Sequence, residues 1–464
     1  MIRIFRVFVP TSVIALLVSE TVLIFSCYLL ASFLTLDVDP QVYLLYDDGL
    51  ARISIVVVCL MLGIYLHDLY TQFRIRSRLL LFQQMCLIVG IAFLTQALLS
   101  YLKLADWTVP KWQMILGSAF TLVLLPAWRV LYSSVVLKAF GSERVLFLGS
   151  SQAAREIAAY LQENPESGFV SIGYVDDVEE SGRQLPGGKV IGRISDLPRI
   201  VDATQPERIV VGLQERRQKL PVTDLLELRF SGIRIEEVQT MYEETFGRVC
   251  ISEIRPSQLI FSGELGPNPT RVVWQKAYSF GIAFIGFAIA SPVMVLVALV
   301  VKLTSRGPVL YRQKRVGKND EPFTLLKFRS MYADAEARTG AVWAKKDDPR
   351  ITPVGRWIRR LRLDELPQLI NVLRGEMSIV GPRPERPEFV RELEQKIPYY
   401  RQRHCVKPGI TGWAQINHKY GDTLEDTIVK LEFDLYYIKN LAPALDGYIM
   451  FHTAKVMLLS RGAQ

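Results

Sequence analysis

The stretch AYSFGIAFIGFAIASPVMVLVALVV at residues 277–301 contains 25 residues and no charged side chain. A run of this length can form a helix that crosses the hydrocarbon core of a bilayer. Both of its flanks are basic, however, and near its middle stand Ser291 and Pro292, where the proline removes a backbone hydrogen bond and kinks a helix. We therefore predict a re-entrant helix at about residues 277–302, which breaks at Ser291 and Pro292 and leaves the membrane on the side it entered. The Ser291 hydroxyl is expected to satisfy a carbonyl freed by the proline, and a simple kinked span is the alternative.

Four further apolar stretches precede this run, each near the length of a bilayer-spanning helix, at about residues 10–35, 51–66, 79–102 and 112–137. The chain start and the second loop are basic and the first loop is acidic, so the positive-inside rule predicts cytoplasmic termini. No small-residue cleavage site follows the first stretch, which favours an anchor over a signal peptide. The expected fold of residues 1–140 is a membrane α-helical bundle of four spans. Four buried helices of a soluble bundle are the alternative.

Residues 141–265 show a different pattern, in which short apolar runs alternate with turn residues and helical segments. The run VLFLG at 145–149 is the first predicted strand, and strands that alternate with helices indicate a Rossmann-like α/β domain with a parallel sheet. The following turn has only Gly149 of the three glycines that a dinucleotide fingerprint requires. A structural or regulatory role is therefore favoured over an NAD site. Asp176 and Asp177 are either ribose ligands or turn residues.

The composition restricts the class of protein. The chain has 464 residues, of which 50% are hydrophobic, and its mean hydropathy of +0.20 indicates a membrane protein. The formal net charge is +9, and residues 302–362 hold 16 basic and six acidic side chains. Such a segment fits nucleic acid, an anionic membrane surface or a phosphorylated substrate. The five cysteines form no C-x-x-C pair, which excludes a disulfide-rich secreted protein and a zinc finger.

Five motifs follow the uncharged run. They are RQKRVG at 312–317, TLLKFRSM at 324–331, DELPQL at 364–369, GPRPE at 381–385 and KPGITGW at 407–413. In this order they resemble the motifs of the bacterial sugar transferase family, the monotopic phosphoglycosyl transferases that begin exopolysaccharide and O-antigen synthesis on polyprenyl phosphate. The resemblance covers about residue 270 to the end. Four spans and a Rossmann-like domain before this module resemble the large members of the family.

The resemblance implies a mainly α-helical monotopic catalytic domain at residues 266–464, on the cytoplasmic face of the bacterial inner membrane. It also implies transfer of a sugar 1-phosphate from a UDP-sugar to undecaprenyl phosphate, with release of UMP. Asp364 would attack the sugar-bearing phosphate, form a covalent intermediate and bind Mg²⁺. Glu365 would assist, in a division of roles that stays open. Large members mostly transfer glucose or galactose phosphate, which favours glucose here.

The basic residues in and around these motifs suit the binding of a phosphorylated substrate, independently of the family resemblance. A guanidinium pairs with phosphate oxygens in bidentate geometry, and guanidiniums beside Asp364 are expected to keep its carboxylate ionised near neutral pH. The prolines beside Arg383 restrict its backbone. A solvated face or a lipid-headgroup patch explains any one basic residue equally well. The predicted phosphate-binding set is Arg312, Arg315, Lys327, Arg329, Arg359 and Arg383, of which Lys327 and Arg383 match basic positions of the family.

Two other functions fit parts of the sequence. A membrane-anchored NAD-dependent nucleotide-sugar dehydratase shares the spans and the Rossmann-like domain, but none of the 19 tyrosines has a lysine four residues later. A non-catalytic scaffold of polysaccharide assembly requires a degenerate transferase module, against which the intact Asp364 and Glu365 argue. The apolar spans leave room for a homodimer, and no nucleic acid partner is expected. Residues 441–459 suggest an amphipathic helix at the membrane surface or a packed core helix.

Overall fold

The computed structural model describes residues 2–4, 7–9, 11–36, 39–67, 69–70, 78–102, 107–132, 142–213, 220–254, 268–332, 350–418 and 423–458. Apart from the first eight residues, the chain forms two compact units, Val9–Glu236 and Glu237–Gln464. The domain limits predicted at 140/141 and 265/266 lie outside the described residues. The unit limit at Glu236 is earlier than the second of them, so residues 237–254 belong to the C-terminal unit.

The first unit opens with helices that are long and apolar. Two short strands, β1 (Ile2–Ile4) and β2 (Val7–Val9), precede helices α1 (Thr11–Thr35), α2 (Pro40–Tyr46), α3 (Gly49–Leu66), α4 (Arg78–Tyr101) and α5 (Lys111–Leu131). Of the described helices, α1, α3, α4, α5 and one helix of the second unit have the length and composition of a membrane span. The first four coincide with the predicted stretches, although the fourth helix ends at Leu131. A buried ion pair between Glu20 and Arg129 links α1 to α5.

The second part of this unit is built on a six-stranded sheet. Its strands are β3 (Glu143–Leu148), β4 (Phe169–Val175), β5 (Gln184–Leu185), β6 (Gly188–Gly192), β7 (Arg208–Val211) and β8 (Arg234–Glu237), and its helices are α6 (Gln152–Glu163), α7 (Leu197–Thr204) and α8 (Val222–Phe230). The strand order is β5-β6-β4-β3-β7-β8. Strands β6, β4, β3 and β7 are parallel, as predicted, and the antiparallel strand β5 makes the sheet mixed. With β3 at the centre, this is the order of a doubly wound fold.

The polar residues at the ends of β3 and β4 form hydrogen bonds with the backbone of this domain. Gly149 has a φ of +93°, which favours glycine. Asp176 accepts hydrogen bonds from the backbone nitrogens of Ser150 and Val178 at 2.8 and 2.9 Å. Asp177 accepts one from the backbone nitrogen of Ile194 at 3.0 Å. Both carboxylates therefore act as turn residues here, which is the second of the two predicted roles.

The second unit is mainly helical. Its elements are α9 (Val238–Phe246), α10 (Pro269–Thr304), β9 (Leu310–Val316), β10 (Pro322–Phe328), α11 (Pro353–Arg360), α12 (Gln368–Leu373), β11 (Ser378–Val380), α13 (Pro387–Lys396), β12 (Gly409–Thr411), α14 (Trp413–Asn417), α15 (Leu424–Asn440) and α16 (Pro443–Leu458). Strands β9 and β10 form an antiparallel hairpin, and β11 pairs with β12 in parallel. Val249 and Ile251 lie in the core of this unit, which explains why the segment after α9 belongs to it. The core helix predicted as one alternative for the C-terminus is α16, whose Leu445 and Ile449 are fully buried.

Helix α10 differs from the prediction in one respect. It is continuous across Ser291 and Pro292, so the predicted break of the helix at these residues is not found. Pro292 cannot donate to the carbonyl of Ala288, four residues earlier. The Ser291 hydroxyl donates to that carbonyl at 2.9 Å, as expected from the sequence, and this bond replaces the missing one.

Helix α11 approaches the end of β10 so closely that one residue must be glycine. A Cβ at Gly355 would overlap the Ser330 carbonyl and lie 2.7 Å from Thr352 Oγ1. Gly355→Ala should therefore destabilise the protein by about 1–3 kcal/mol or more and lower its thermal unfolding temperature in detergent. The matched control is Gly447→Ala in α16, where no atom lies within 4 Å of the added Cβ. Equal unfolding temperatures of the two variants would contradict this account.

Candidate active site

The Asp364 and Glu365 side chains come from a short turn between two helices. Helix α11 ends at Arg360, α12 begins at Gln368, and a 3₁₀ turn at Leu363–Glu365 separates them. Arg362, just before the turn, has a φ of +53°, in the left-handed region that non-glycine residues rarely adopt. A left-handed residue ends the α-helix, and the chain then enters the turn that carries both carboxylates.

One amide fixes this turn against the hairpin β9–β10. Asn371, on α12, is fully buried. Its Oδ1 accepts a hydrogen bond from the backbone nitrogen of Leu326 at 3.1 Å, and its Nδ2 donates to the carbonyl of Thr324 at 2.8 Å. The side chain thus satisfies backbone groups of β10 as a neighbouring strand would. Because Leu326 precedes Lys327, this contact holds Lys327 beside the turn.

The two carboxylates have different surroundings. Lys327 Nζ and Arg383 Nη2 both donate to Glu365 Oε1, at 2.9 and 3.0 Å, and Arg362 Nη1 lies 3.7 Å from Glu365 Oε2. Asp364 is 8% exposed, and no hydrogen bond from any described residue reaches its carboxylate. One carboxylate is therefore held by cations, while its neighbour is buried without a hydrogen-bond donor.

The pKa values of the pair shift in opposite directions. Burial raises the pKa of Asp364, and the charge of Glu365 adds to this rise. Lys327, Arg359 and Arg383 oppose the rise, as expected of neighbouring cations, but burial outweighs them. Burial alone would also raise the pKa of Glu365, but the direct bonds from Lys327 and Arg383 hold that pKa well below its usual range. Asp364 is therefore the more basic carboxylate of the two.

A second charged network holds the backbone segment that carries Arg383. Its members are Arg403, Asp434, Glu385 and Lys430. Arg403 Nη2 donates to the backbone carbonyl of Arg383 at 2.9 Å and pairs with Asp434 at 2.7 Å. Glu385, two residues after Arg383, pairs with Lys430. Arg403, Asp434 and Glu385 are each at most 7% exposed. Removing one partner of such a network would leave a buried charge uncompensated, so the segment that carries Arg383 is firmly held.

Three of the six predicted phosphate-binding residues lie near the carboxylates: Lys327, Arg359 and Arg383. All three act electrostatically on Asp364. Arg359, on the last turn of α11, is fixed by a hydrogen bond from its Nε to Ser330 Oγ at 2.8 Å. The three cations come from β10, α11 and the segment before α13, so only the folded unit brings them together.

The other three lie elsewhere. Arg315 Nη1 donates to the carbonyl of Pro384 at 3.0 Å, so this guanidinium supports the segment that carries Arg383. Arg312 is exposed, and because side chains alternate along β9 it lies on the opposite face of the hairpin from Arg315. Arg329, just after β10, donates to Ser305 at the end of α10. No contact of Arg312 or Arg329 with the carboxylate pair is found among the described residues.

Much of the chain is similar to known proteins. A family model described as Bacterial sugar transferase matches residues 270–460, and one described as CoA-binding domain matches residues 65–235. A UDP-glucose:undecaprenyl-phosphate glucose-1-phosphate transferase of Klebsiella pneumoniae is 32% identical over 363 residues, or 76% of this chain and 75% of that protein. The chain belongs to the bacterial sugar transferase family. The resemblance seen in the motifs is thereby confirmed.

Two further relatives of this sugar transferase carry names of the same enzyme class. A UDP-N-acetylgalactosamine-undecaprenyl-phosphate N-acetylgalactosaminephosphotransferase of Aeromonas hydrophila is 43% identical over 232 residues, and the match spans 50% of this chain and 54% of that relative. An undecaprenyl-phosphate galactose phosphotransferase of Salmonella typhimurium is 31% identical over 404 residues, with 81% and 80% covered. The predicted enzyme class agrees with these names, and the dehydratase alternative receives no support from them.

The site of this transferase fits a magnesium ion only in part. Within the described residues no group of three or more His, Cys, Asp or Glu side chains could hold a metal. Mg²⁺ is commonly bound by one or two carboxylates together with substrate phosphates and water. Asp364 offers a carboxylate to which no described residue donates a hydrogen bond, whereas Glu365 Oε1 is already bonded to Lys327 and Arg383. The residues therefore suit an ion held by Asp364 and the substrate together.

Sequence reasoning missed two residues that position the transferase site. Asn371 stands in the apolar run LINVL at 369–373, and a lone amide in such a run is a usable signal of a buried polar contact. Arg403 carries no comparable signal, because its partners Asp434 and the Arg383 carbonyl lie far from it in sequence. Only the fold reveals the second network.

The second network predicts a specific pH dependence of stability. Burial alone would raise the pKa of Glu385, but the charges of Lys430 and Arg403 lower it to about 2. Its charge therefore stabilises the folded state fully above its ordinary pKa of 4.5, and this contribution is lost as the pH falls toward 2. Glu385→Gln should lower the thermal unfolding temperature at pH 7, and the difference from the wild type should shrink below pH 4.5. The control is Glu392→Gln, an exposed partner of Lys396, whose loss should change little. A difference that stays constant from pH 7 to 3 would refute the assignment.

Proposed function

We propose that the protein transfers a hexose 1-phosphate from a UDP-sugar to undecaprenyl phosphate and releases UMP. This reaction would be the first membrane step of exopolysaccharide, capsule or O-antigen synthesis. One observation carries the proposal most directly: Asp364 is a buried carboxylate of raised pKa that receives no hydrogen bond from any described residue, and it lies beside cations fixed by Glu365. The names of the relatives give the reaction class.

In the first step, an oxygen of the Asp364 carboxylate attacks the sugar-bearing phosphorus of the UDP-sugar. A new oxygen–phosphorus bond forms, the bridging phosphorus–oxygen bond breaks, and its electron pair leaves with UMP. Lys327, Arg359 and Arg383 act electrostatically on Asp364, and fixed cations beside the nucleophile would stabilise the negative charge that develops on the phosphate oxygens in the transition state. The covalent phosphosugar on Asp364 follows from this step.

In the second step, a phosphate oxygen of undecaprenyl phosphate attacks the same phosphorus. The bond to Asp364 breaks, its electron pair returns to the carboxylate, and the lipid diphosphate sugar leaves. Glu365 stays ionised through both steps because its pKa is held low, and it keeps Lys327 and Arg383 in place. A Mg²⁺ ion held by Asp364 and the donor phosphates would neutralise additional charge on the phosphate oxygens.

The sugar is proposed only as a hexose. The relatives are named for N-acetylgalactosamine, glucose and galactose. Glucose is our first candidate, because large members of the family mostly use glucose or galactose. No residue of the site, as described, distinguishes these sugars. A panel of donors is therefore part of the test.

For the membrane we propose four spans followed by a re-entrant α10, with the catalytic unit on the cytoplasmic face of the inner membrane. The packing of α10 supports this arrangement. Near its start, Gln275 donates to Asp446 and to the carbonyl of Val380. Near its end, Val301 packs with Phe328 and other residues of the same unit. A helix that carried its end to the opposite side of a bilayer would not contact one cytoplasmic unit at both ends.

Cysteine labelling tests this topology. Lys276→Cys and Arg306→Cys, at exposed positions before and after the apolar part of α10, would be made singly in a variant without native cysteines. We expect a membrane-impermeant maleimide to label both in inside-out vesicles and neither in right-side-out vesicles. Labelling of the two positions from opposite sides would establish a full crossing and overturn re-entry.

Release of UMP tests the reaction itself. Purified full-length protein with Mg²⁺ and undecaprenyl phosphate would be given a panel of UDP-sugars. Asp364→Asn should reduce turnover with the preferred sugar by at least about a thousandfold, because an amide cannot act as the nucleophile. Without acceptor, mass spectrometry should find a sugar phosphate on the wild-type peptide that contains Asp364 and none on the variant.

The control for this experiment is Asp426→Asn, at an exposed helix cap distant in sequence from the site, which should keep its turnover. Folding of each variant is checked by its thermal unfolding temperature. No UMP from any sugar with well-folded wild-type protein would exclude the UDP-sugar reaction and favour another nucleotide donor or the scaffold. Turnover without a covalent peptide adduct would exclude the two-step route.

A further inference from the structure

Arg329 has an unusual environment for a charged residue. It is only 5% exposed, and its Nη2 donates to the backbone carbonyl and the hydroxyl of Ser305 at 2.8 and 2.6 Å. Its Nε and Nη1 have no hydrogen-bond partner, and no ion pair with a carboxylate is found among the described residues. The guanidinium is thus anchored at one nitrogen, and its other two nitrogens carry three N–H donors without acceptors.

Such a group calls for an anion that the described residues do not supply. Arginine does not lose its proton in proteins, so burial cannot be relieved by deprotonation. A buried cation without a counter-ion is costly, and unmade hydrogen bonds to it add to the cost. Phosphate oxygens are suitable acceptors for guanidinium N–H groups.

The position of Arg329 indicates which phosphate it would bind. Ser305 directly follows the last residue of α10, the apolar helix of the catalytic unit. The neighbour of Arg329 in sequence, Phe328, packs with Met294 and Val297 on the second half of that helix. Arg329 therefore lies where an apolar surface ends and polar residues begin. A lipid that carries a phosphate has the same arrangement, with a charged head on an apolar chain.

Arg329 is linked to Asp364 through neighbouring residues, but it is not one of the cations that bond to Glu365. Ser330, the next residue, accepts the hydrogen bond from Arg359, and Arg359 acts electrostatically on Asp364. Leu363 and Leu366, on either side of the carboxylates, pack in the same apolar cluster as Phe328. Lys327 and Arg383, in contrast, bond to Glu365.

We propose that Arg329 binds the phosphate monoester of the polyprenyl phosphate acceptor, at the end of α10, while Lys327 and Arg383 serve the nucleotide-sugar donor. This assignment rests on the two-step reaction proposed above, and it divides the predicted phosphate-binding residues between two substrates. Bound at Arg329, the acceptor oxygen would attack the phosphorus on Asp364 in the second step. The phosphorus–Asp364 bond would break with return of its electron pair to the carboxylate. Arg329 takes no part in release of UMP.

The two half-reactions separate this role from others. Without acceptor, full-length enzyme in detergent is mixed with the preferred UDP-sugar and Mg²⁺, and UMP formed in a single turnover is measured. With a short-chain polyprenyl phosphate of increasing concentration, steady-state turnover gives the KM for the acceptor. We expect Arg329→Gln to keep the single-turnover UMP release within about twofold and to lose roughly 10–100-fold in kcat/KM for the acceptor. Arg329→Lys keeps the positive charge, so its kcat/KM for the acceptor should lie between the values of Arg329→Gln and the wild type.

Two controls accompany this experiment. Arg356→Gln removes an exposed guanidinium from α11 and should change neither half-reaction. Arg383→Gln should slow single-turnover UMP release, because it removes a donor-side cation. Excess inorganic phosphate should compete with the acceptor in the wild type more strongly than in Arg329→Gln.

Each outcome is decisive. If Arg329→Gln slows UMP release as much as overall turnover, or if it changes neither, the acceptor assignment is overturned; the latter result would leave Arg329 as a cap of α10. If Arg329→Gln does not fold, Arg329→Lys replaces it, and an unchanged acceptor KM in a folded Arg329→Lys overturns the assignment. Absence of UMP from the wild type would instead count against the proposed function.

Discussion

The Glu365 carboxylate, bonded to both Lys327 and Arg383, is the contact on which the catalytic unit depends. Its three members come from strand β10, the turn before α12 and the segment before α13. A buried carboxylate without cations would be costly, and so would the cations without the carboxylate. The three segments are therefore stable in this arrangement only when together. Asp364, next in the chain to the shared carboxylate, is placed beside fixed positive charge without having to bind it.

Charged and apolar layers meet at the carboxylate turn. On one side, Arg403 and Glu385 fix the backbone that carries Arg383, through contacts buried in the unit. On the other side, Leu363 and Leu366 pack against the second half of α10. In the proposed reaction, a charged, soluble donor and a lipid-borne acceptor would therefore reach the same carboxylate over distinct surfaces. This arrangement explains why a hydrophobic helix and a strongly basic segment stand side by side in the sequence.

Much of this organisation could be predicted from the sequence because it is local. Apolar length predicts the long helices, strand alternation predicts the sheet, and proline beside serine predicts the hydrogen bond from Ser291 to Ala288. The grouping of Lys327, Arg359 and Arg383 could not be predicted, because it depends on how β10, α11 and the segment before α13 come together in the folded unit. Nor could the continuity of α10, since the strength of a replacement hydrogen bond is not visible in residue type. The network of Arg403 with Asp434 joins segments whose proximity only the tertiary fold creates.

The left-handed backbone of Arg362 has a conformational cost. Glycine would adopt this conformation freely, whereas an arginine there carries roughly 1–2 kcal/mol of strain. A chain that only needed to turn would gain stability by replacing it. The guanidinium of Arg362, 3.7 Å from Glu365, is a positive charge that glycine could not supply at this position. Glycine at position 362 is accordingly expected to relieve the strain and, at the same time, to remove one positive charge from the surroundings of Glu365.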